Sequence, residues 1–189
     1  MIWVTNLKII HIVNNIKYLL LISILLSCSK NIKELDFCTM YKKDQSHLYD
    51  ATKSEAENAE IKKKRKNLIY SNYNELKSYS NKYHFPQVDK SMQYTNDSCK
   101  YYSIFATLIH INQIEPEVFY SSRNIEFLAD AIDKKYLDNN LVYPAVKIGS
   151  HSPYCKTLEP NIKLAIQKWK LPIKLLEDMQ YIDCKIKSK

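Results

Sequence analysis

The chain has 189 residues, a formal net charge of +8 and 46% apolar residues. That is enough apolar material for one domain with a real core, and it excludes a chain disordered throughout. Gly149 is the only glycine, which argues against a β-rich fold of tight hairpins and against a phosphate-cradling or dinucleotide-binding loop.

The first feature in chain order is Ile16–Lys30. Lys17 precedes nine mostly apolar residues, Tyr18–Leu26, followed by Ser27 and Cys28. A charged n-region, a short h-region and a small residue at the cut form the layout of a secretory signal. Leu25-Leu26-Ser27-Cys28 resembles the lipobox of bacterial lipoproteins, with Leu26 where a smaller residue is more usual. In that family the leader is cut before the cysteine, whose sulfur carries a diacylglycerol. The resemblance implies a leader over 1–27, lipidation of Cys28 by acyl chains such as palmitate, a tether over 28–33, a domain over 34–184 and a basic tail over 185–189. It also implies a membrane-anchored protein on the periplasmic or outer side of the cell envelope.

The rival reading is an uncleaved membrane helix. Ile9–Leu26 approaches the about 20 residues needed, but Asn14, Asn15 and Lys17 interrupt it. A buried core helix of a cytoplasmic protein is a further rival, opposed by the abrupt polar sequence after Cys28. Without the leader, which holds Lys8 and Lys17, the charge falls to about +6. The run Lys62-Lys63-Lys64-Arg65-Lys66 reads as a solvated helix face, and no nucleic-acid partner is expected.

The remaining pattern predicts an all-α domain of about six helices. Apolar residues from Leu35 to Leu48 recur at spacings of three and four, giving a first helix over 34–53. Ser54 and Glu57 form a capping-box signature before a polar stretch over 55–67, and an apolar face returns through Leu68, Ile69, Tyr73 and Leu76 until Pro86. Residues 86–96 read as loop. Asn96 or Asp97 caps Ser98–Ile111, the most apolar helix outside the leader and the expected centre of the core. Pro116 opens a helix to about Tyr136 with a break near 121–123. Leu141–Gly149 reads as an edge strand or as a short helix starting at Pro144. Residues 150–157 read as loop, and helices follow from Pro160 to about Lys170 and from Pro172 to about Ile182.

Five cysteines leave one over in an exported protein. If Cys28 is lipidated, Cys38, Cys99, Cys155 and Cys184 can form two disulfides. At least one is expected; four cysteines allow three connectivities, and if two form, Cys38–Cys99 with Cys155–Cys184 is the expected pairing, because it joins elements near in sequence. A four-cysteine metal site is the weaker alternative, since structural zinc sites place ligands in close pairs. Free buried thiols are the third.

Chemistry-bearing residues are sparse. Asp44 and His47 share a helix face, where a carboxylate beside an imidazole can hold a metal or orient a base. His110 sits within the most apolar helix, where a hydrogen-bonded core residue is the commoner role. His84 lies at a helix end, where a cation can meet the C-terminal dipole. His151 lies in a serine-flanked loop with no metal-site spacing. No serine nucleophile elbow, His-Glu-x-x-His helix or Cys-x-x-Cys pair occurs, and neither a cofactor nor a metal site is expected. The 15 tyrosines suit burial with a hydrogen-bonded hydroxyl, or a surface that binds a glycan or an envelope protein.

Asp44-Gln45, Tyr83-His84-Phe85-Pro86, His110 and the closing helices over Asn161–Met179 resemble, in this order, a mainly helical exported bacterial family of unknown function. Ile109 stands where that family has glutamine. Leu141–Lys147 lacks its Asp-Arg pair, so this chain resembles a degenerate member. The resemblance implies a helical fold and no established activity. The leading reading is a lipid-anchored, non-catalytic binding or structural module of the envelope. The alternative is a degenerate or unrecognised hydrolase-like enzyme using Asp44 and His110. If the first and central helices pack side by side, Asp44, Gln45 and His110 meet in one hydrogen-bonded cluster.

Overall fold

Seven α-helices form among the residues that the computed structural model describes, 35–46, 52–151 and 153–184. The expected leader, Cys28, the tether, His47 and the basic tail lie outside the described residues. The described part belongs to one compact unit, Leu35–Lys189. No helix among the described residues is long and apolar enough to cross a membrane.

Helix α1, Phe37–Gln45, starts at Asp36, whose carboxylate accepts the Thr39 N–H at 2.9 Å. It is shorter than the expected 34–53. Ser46 ends it, turning both its N–H and its hydroxyl onto the Lys43 carbonyl. Helix α2, Glu55–Lys82, opens with the expected capping box of Ser54 and Glu57. The polar stretch and the apolar stretch after it are one 28-residue helix. Only its second half is buried, through Ile69, Asn72, Tyr73 and Leu76.

Helix α3, Ser98–Ile114, is the centre of the fold. It packs against α1, against α2, against the short helix α4, Pro116–Phe119, and against α6, Asn139–Gly149. Ile104, Leu108 and Ile111 have almost no exposed surface. The expected break after Pro116 separates α4 from α5, Ser122–Asp133. Tyr120 stacks on Trp169 there, Phe119 meets both rings edge-on, and the Trp169 indole N–H donates to the Ile125 carbonyl at 3.0 Å.

Two segments correct the sequence reading. Leu141–Gly149 is neither an edge strand nor a helix begun at Pro144: α6 starts at Asn139, capped by Asp138, and carries Pro144 inside it. Apolar burial of Leu141, Val142, Ala145 and Val146 at helical spacing outweighs one missing backbone donor. The expected final helix from Pro172 is only a 3₁₀ turn, Ile173–Leu176, after α7, Glu159–Lys168. The chain then extends, and β2, Tyr181–Ile182, pairs in parallel with β1, Tyr154–Cys155. The expected loop at 86–96 holds a 3₁₀ turn, Lys90–Tyr94, and a parallel bridge from Val88 to Leu137.

Both disulfides form with the expected pairing. Cys38–Cys99 ties α1 to the start of α3, and Cys155–Cys184 closes the two-stranded sheet. They span 61 and 29 residues. In the chain-entropy account, closures of these lengths stabilise by about 4 and about 3.5 kcal/mol.

The lone glycine is required by a close approach, since no glycine has positive φ. A Cβ on Gly149 would lie 2.6 Å from the Tyr154 hydroxyl and 2.7 Å from Asn112 Cγ. Left-handed residues fall instead on lysines: Lys135 at φ 60° and Lys170 at φ 55° follow α5 and α7. At both, the next N–H reaches back into the last turn, Tyr136 to Ala131 and Leu171 to Ile166, the Schellman arrangement in which glycine is the usual residue. Opposite effects follow at these two kinds of position. Gly149→Ala should destabilise by about 1–3 kcal/mol through overpacking. Lys135→Gly should stabilise by about 1 kcal/mol, raising Tm by about 2–4 °C. Thermal unfolding of both variants checks the pair, and a stable Gly149→Ala would refute the tight contact.

Candidate functional site

The charged cluster is built from α1, α2 and α3. A buried carboxylate needs a partner, and Asp44 at the end of α1 has one. Its Oδ1 lies 3.0 Å from Nδ1 of His110 on α3, with the side chains 4% and 15% exposed respectively. The Gln45 amide donates to Asp44 Oδ2 at 2.9 Å, although Gln45 itself is exposed. Asp44, Gln45 and His110 therefore do meet in one hydrogen-bonded cluster. Asn72 of α2 donates to the Met40 carbonyl at 3.5 Å, a marginal contact that adds α2 to the seat of α1.

A fourth residue completes the cluster. Arg65 Nη2 of α2 lies 3.1 Å from His110 Nε2. A guanidinium can only donate, so Nε2 must accept, and the proton of the imidazole sits on Nδ1, where it is given to Asp44. The line Asp44–His110–Arg65 thus places a carboxylate and a guanidinium at the two ends of a neutral ring. Arg65 Nε is buried without a hydrogen-bond partner.

The sequence reading assigned Arg65 to a solvated face. Lys62, Lys63, Lys64 and Lys66 are indeed exposed, but Arg65 is half-buried. The available signal was its spacing, four residues after Ile61 and four before the buried Ile69, which puts it on the apolar stripe of α2.

The geometry limits the chemistry. In nucleophilic hydrolases the imidazole Nε2 faces a hydroxyl or thiol. Here Arg65 occupies Nε2, and all four described cysteines are in disulfides. Ser103 lies on the same face of α3, but seven residues away, about 10 Å along the axis. The other described histidines stand apart. His84 lies at the end of α2, as expected, with its Nδ1 3.0 Å from the Phe85 carbonyl and its ring stacked on Tyr136. His151 is exposed. No group of three or more potential metal-ligating side chains occurs among the described residues.

A second buried polar cluster lies across α3. The Asn112 amide donates to the Ala145 carbonyl at 3.0 Å and the Tyr154 hydroxyl at 3.1 Å, with a longer contact to the Tyr120 hydroxyl at 3.4 Å. Burial pushes the pKa of both tyrosines up, so both remain protonated. This cluster fills the space that Gly149 leaves and joins elements distant in sequence. Asn112 was not singled out in the sequence, because a lone asparagine on an apolar helix carries no spacing signal.

Comparison with protein-family models, curated proteins and solved structures finds no match for this chain.

The Asp44–His110 bond should behave as a coupled pair. Asp44→Asn and His110→Ala should each destabilise, and the double variant should cost less than the sum by about 1–3 kcal/mol. Denaturant unfolding with the disulfides kept intact measures this coupling, and additive costs would remove any role for the pair.

Proposed function

We propose that this chain is a lipid-anchored protein of the bacterial cell envelope, whose helical domain is a non-catalytic binding or structural module. The observation that carries the reading is the cysteine pairing. Cys38, Cys99, Cys155 and Cys184 close on one another, which leaves Cys28 as the odd cysteine of the sequence. Two disulfides in one small domain suit an oxidising, exported compartment, and the odd cysteine stands in Leu25-Leu26-Ser27-Cys28, the lipobox-like stretch. Removal of residues 1–27 would make Cys28 the first residue. A diacylated cysteine holds a protein to a bilayer stably, where one acyl chain would not. The non-catalytic part rests on His110, whose Nε2 is taken by Arg65.

A second reading is favoured by one feature. The carboxylate of Asp44 on His110 Nδ1 is the arrangement that orients a general base. In that hydrolase-like reading Arg65 must leave Nε2 before the ring can accept a proton from a substrate or water.

The anchor is tested by growth with an alkynyl palmitate analogue and mass spectrometry of the N-terminus. Wild type should take up the label and begin at an acylated Cys28, whereas Cys28→Ala should take up none. A membrane-bound protein that retains residues 1–27 and carries no acyl group would overturn the proposal in favour of an uncleaved helix.

A further inference from the structure

Where Lys77 of α2 reaches Phe127 of α5, the charge of Arg123 acts on Lys77 and no carboxylate does. Lys77 is half-buried. Its Nζ lies over two rings, 5.4 Å from the centroid of Tyr73 and 5.5 Å from that of Phe127. Tyr73 and Lys77 are four residues apart on α2, and Arg123 and Phe127 are four apart on α5, so each pair shares a helix face. The ring beneath Lys77 is thus the helical neighbour of Arg123. Burial lowers the Lys77 pKa first, and the Arg123 charge lowers it further; no acidic group offsets them.

The ion pairs among the described residues engage other cations. Glu126, one turn beyond Arg123, is held by Lys168 at 2.6 Å. Ring faces attract a cation but do not neutralise it, so the charges of Lys77 and Arg123 remain uncompensated.

We propose that Lys77 and Arg123 bind a phosphate monoester. Arginine offers a planar fork that takes two oxygens, and lysine a point charge for a third. A monoester near pH 7 carries between one and a half and two negative charges, which matches two cations; a single carboxylate would leave one uncompensated. The group has two sources, a soluble phosphate ester or the headgroup of phosphatidic acid. The site lies apart from the Asp44–His110–Arg65 cluster and does not depend on the lipid anchor.

The test uses full-length protein in neutral detergent micelles, with glycerol 3-phosphate as probe at pH 7.5 and binding read by titration calorimetry. Saturable one-site binding is expected. Arg123→Gln and Lys77→Met should each weaken it at least tenfold, and Lys63→Gln, on an exposed lysine of α2, should leave it unchanged. Arg123 is exposed, so Arg123→Gln should retain the wild-type Tm, which keeps the result readable if Lys77→Met folds poorly. Bound probe should also protect Lys77 from amine acylation, read by peptide mass spectrometry. Micelles doped with phosphatidic acid distinguish the source: if they displace the soluble probe, the headgroup is a ligand of the same site; if they do not, the ligand is a soluble ester. Non-saturating binding, or equal loss in Lys63→Gln and Arg123→Gln, would overturn the proposal.

Discussion

The structure depends on the burial of α3 together with the polar side chains it carries. A helix enclosed by neighbours on several sides loses about 1–3 kcal/mol for each buried donor or acceptor left without a partner, and on α3 only the Ser103 hydroxyl among the described side chains is left so. His110 and Asn112 are two residues apart, about 200° around the helix, so they make opposite demands. His110 requires α1 and α2 on one side, where Asp44 and Arg65 meet its two nitrogens. Asn112 requires α6 and β1 on the other, where the Ala145 carbonyl and the Tyr154 hydroxyl accept its amide protons. Apolar contact alone would let these neighbours slide along α3, whereas the two polar side chains fix them in register.

The disulfides reinforce the same two sides. Cys38–Cys99 holds α1 near the start of α3 while Asp44–His110 holds it further along, so α1 runs in the same sense as α3 between a covalent and a charged attachment. A nine-residue helix with only Met40 and Asp44 buried has little apolar area of its own to keep it there, and isolated helices of that length are marginal. At the other end Cys155–Cys184 secures a sheet of only two residues per strand, too short to persist alone.

Much of this was legible in the sequence, for reasons that can be named. The apolar run of α3, the Ser54–Glu57 cap and the stop after Pro116 are local signals, and each has its expected form. The meeting of Asp44 with His110 could be anticipated from the cost of burying a carboxylate. Arg65 was hidden by the four lysines around it, because a charge run suggests solvent unless its arginine is tested against the apolar stripe. Pro144 was given too much weight against the four buried apolar residues around it. The C-terminal segment after Pro172 looked helical from composition, yet Tyr181–Ile182 extends because its partner, Tyr154–Cys155, lies far back in the chain, and no local pattern encodes that pairing.

The cations divide by how they are compensated. Arg65 is half-buried, and the charge it carries is balanced through a neutral imidazole by a buried carboxylate; removing Asp44 would leave that charge without its counterpart, which marks the line as part of the fold. Lys168 and Lys170 meet Glu126 and Asp133 at the surface, where such pairs add little. Lys77 belongs to neither group. It is as enclosed as a structural cation, yet it has only ring faces and a like-charged neighbour. The fold supplies a counter-charge where one holds helices together and none at Lys77, so the positive potential there stays open to an anion from outside.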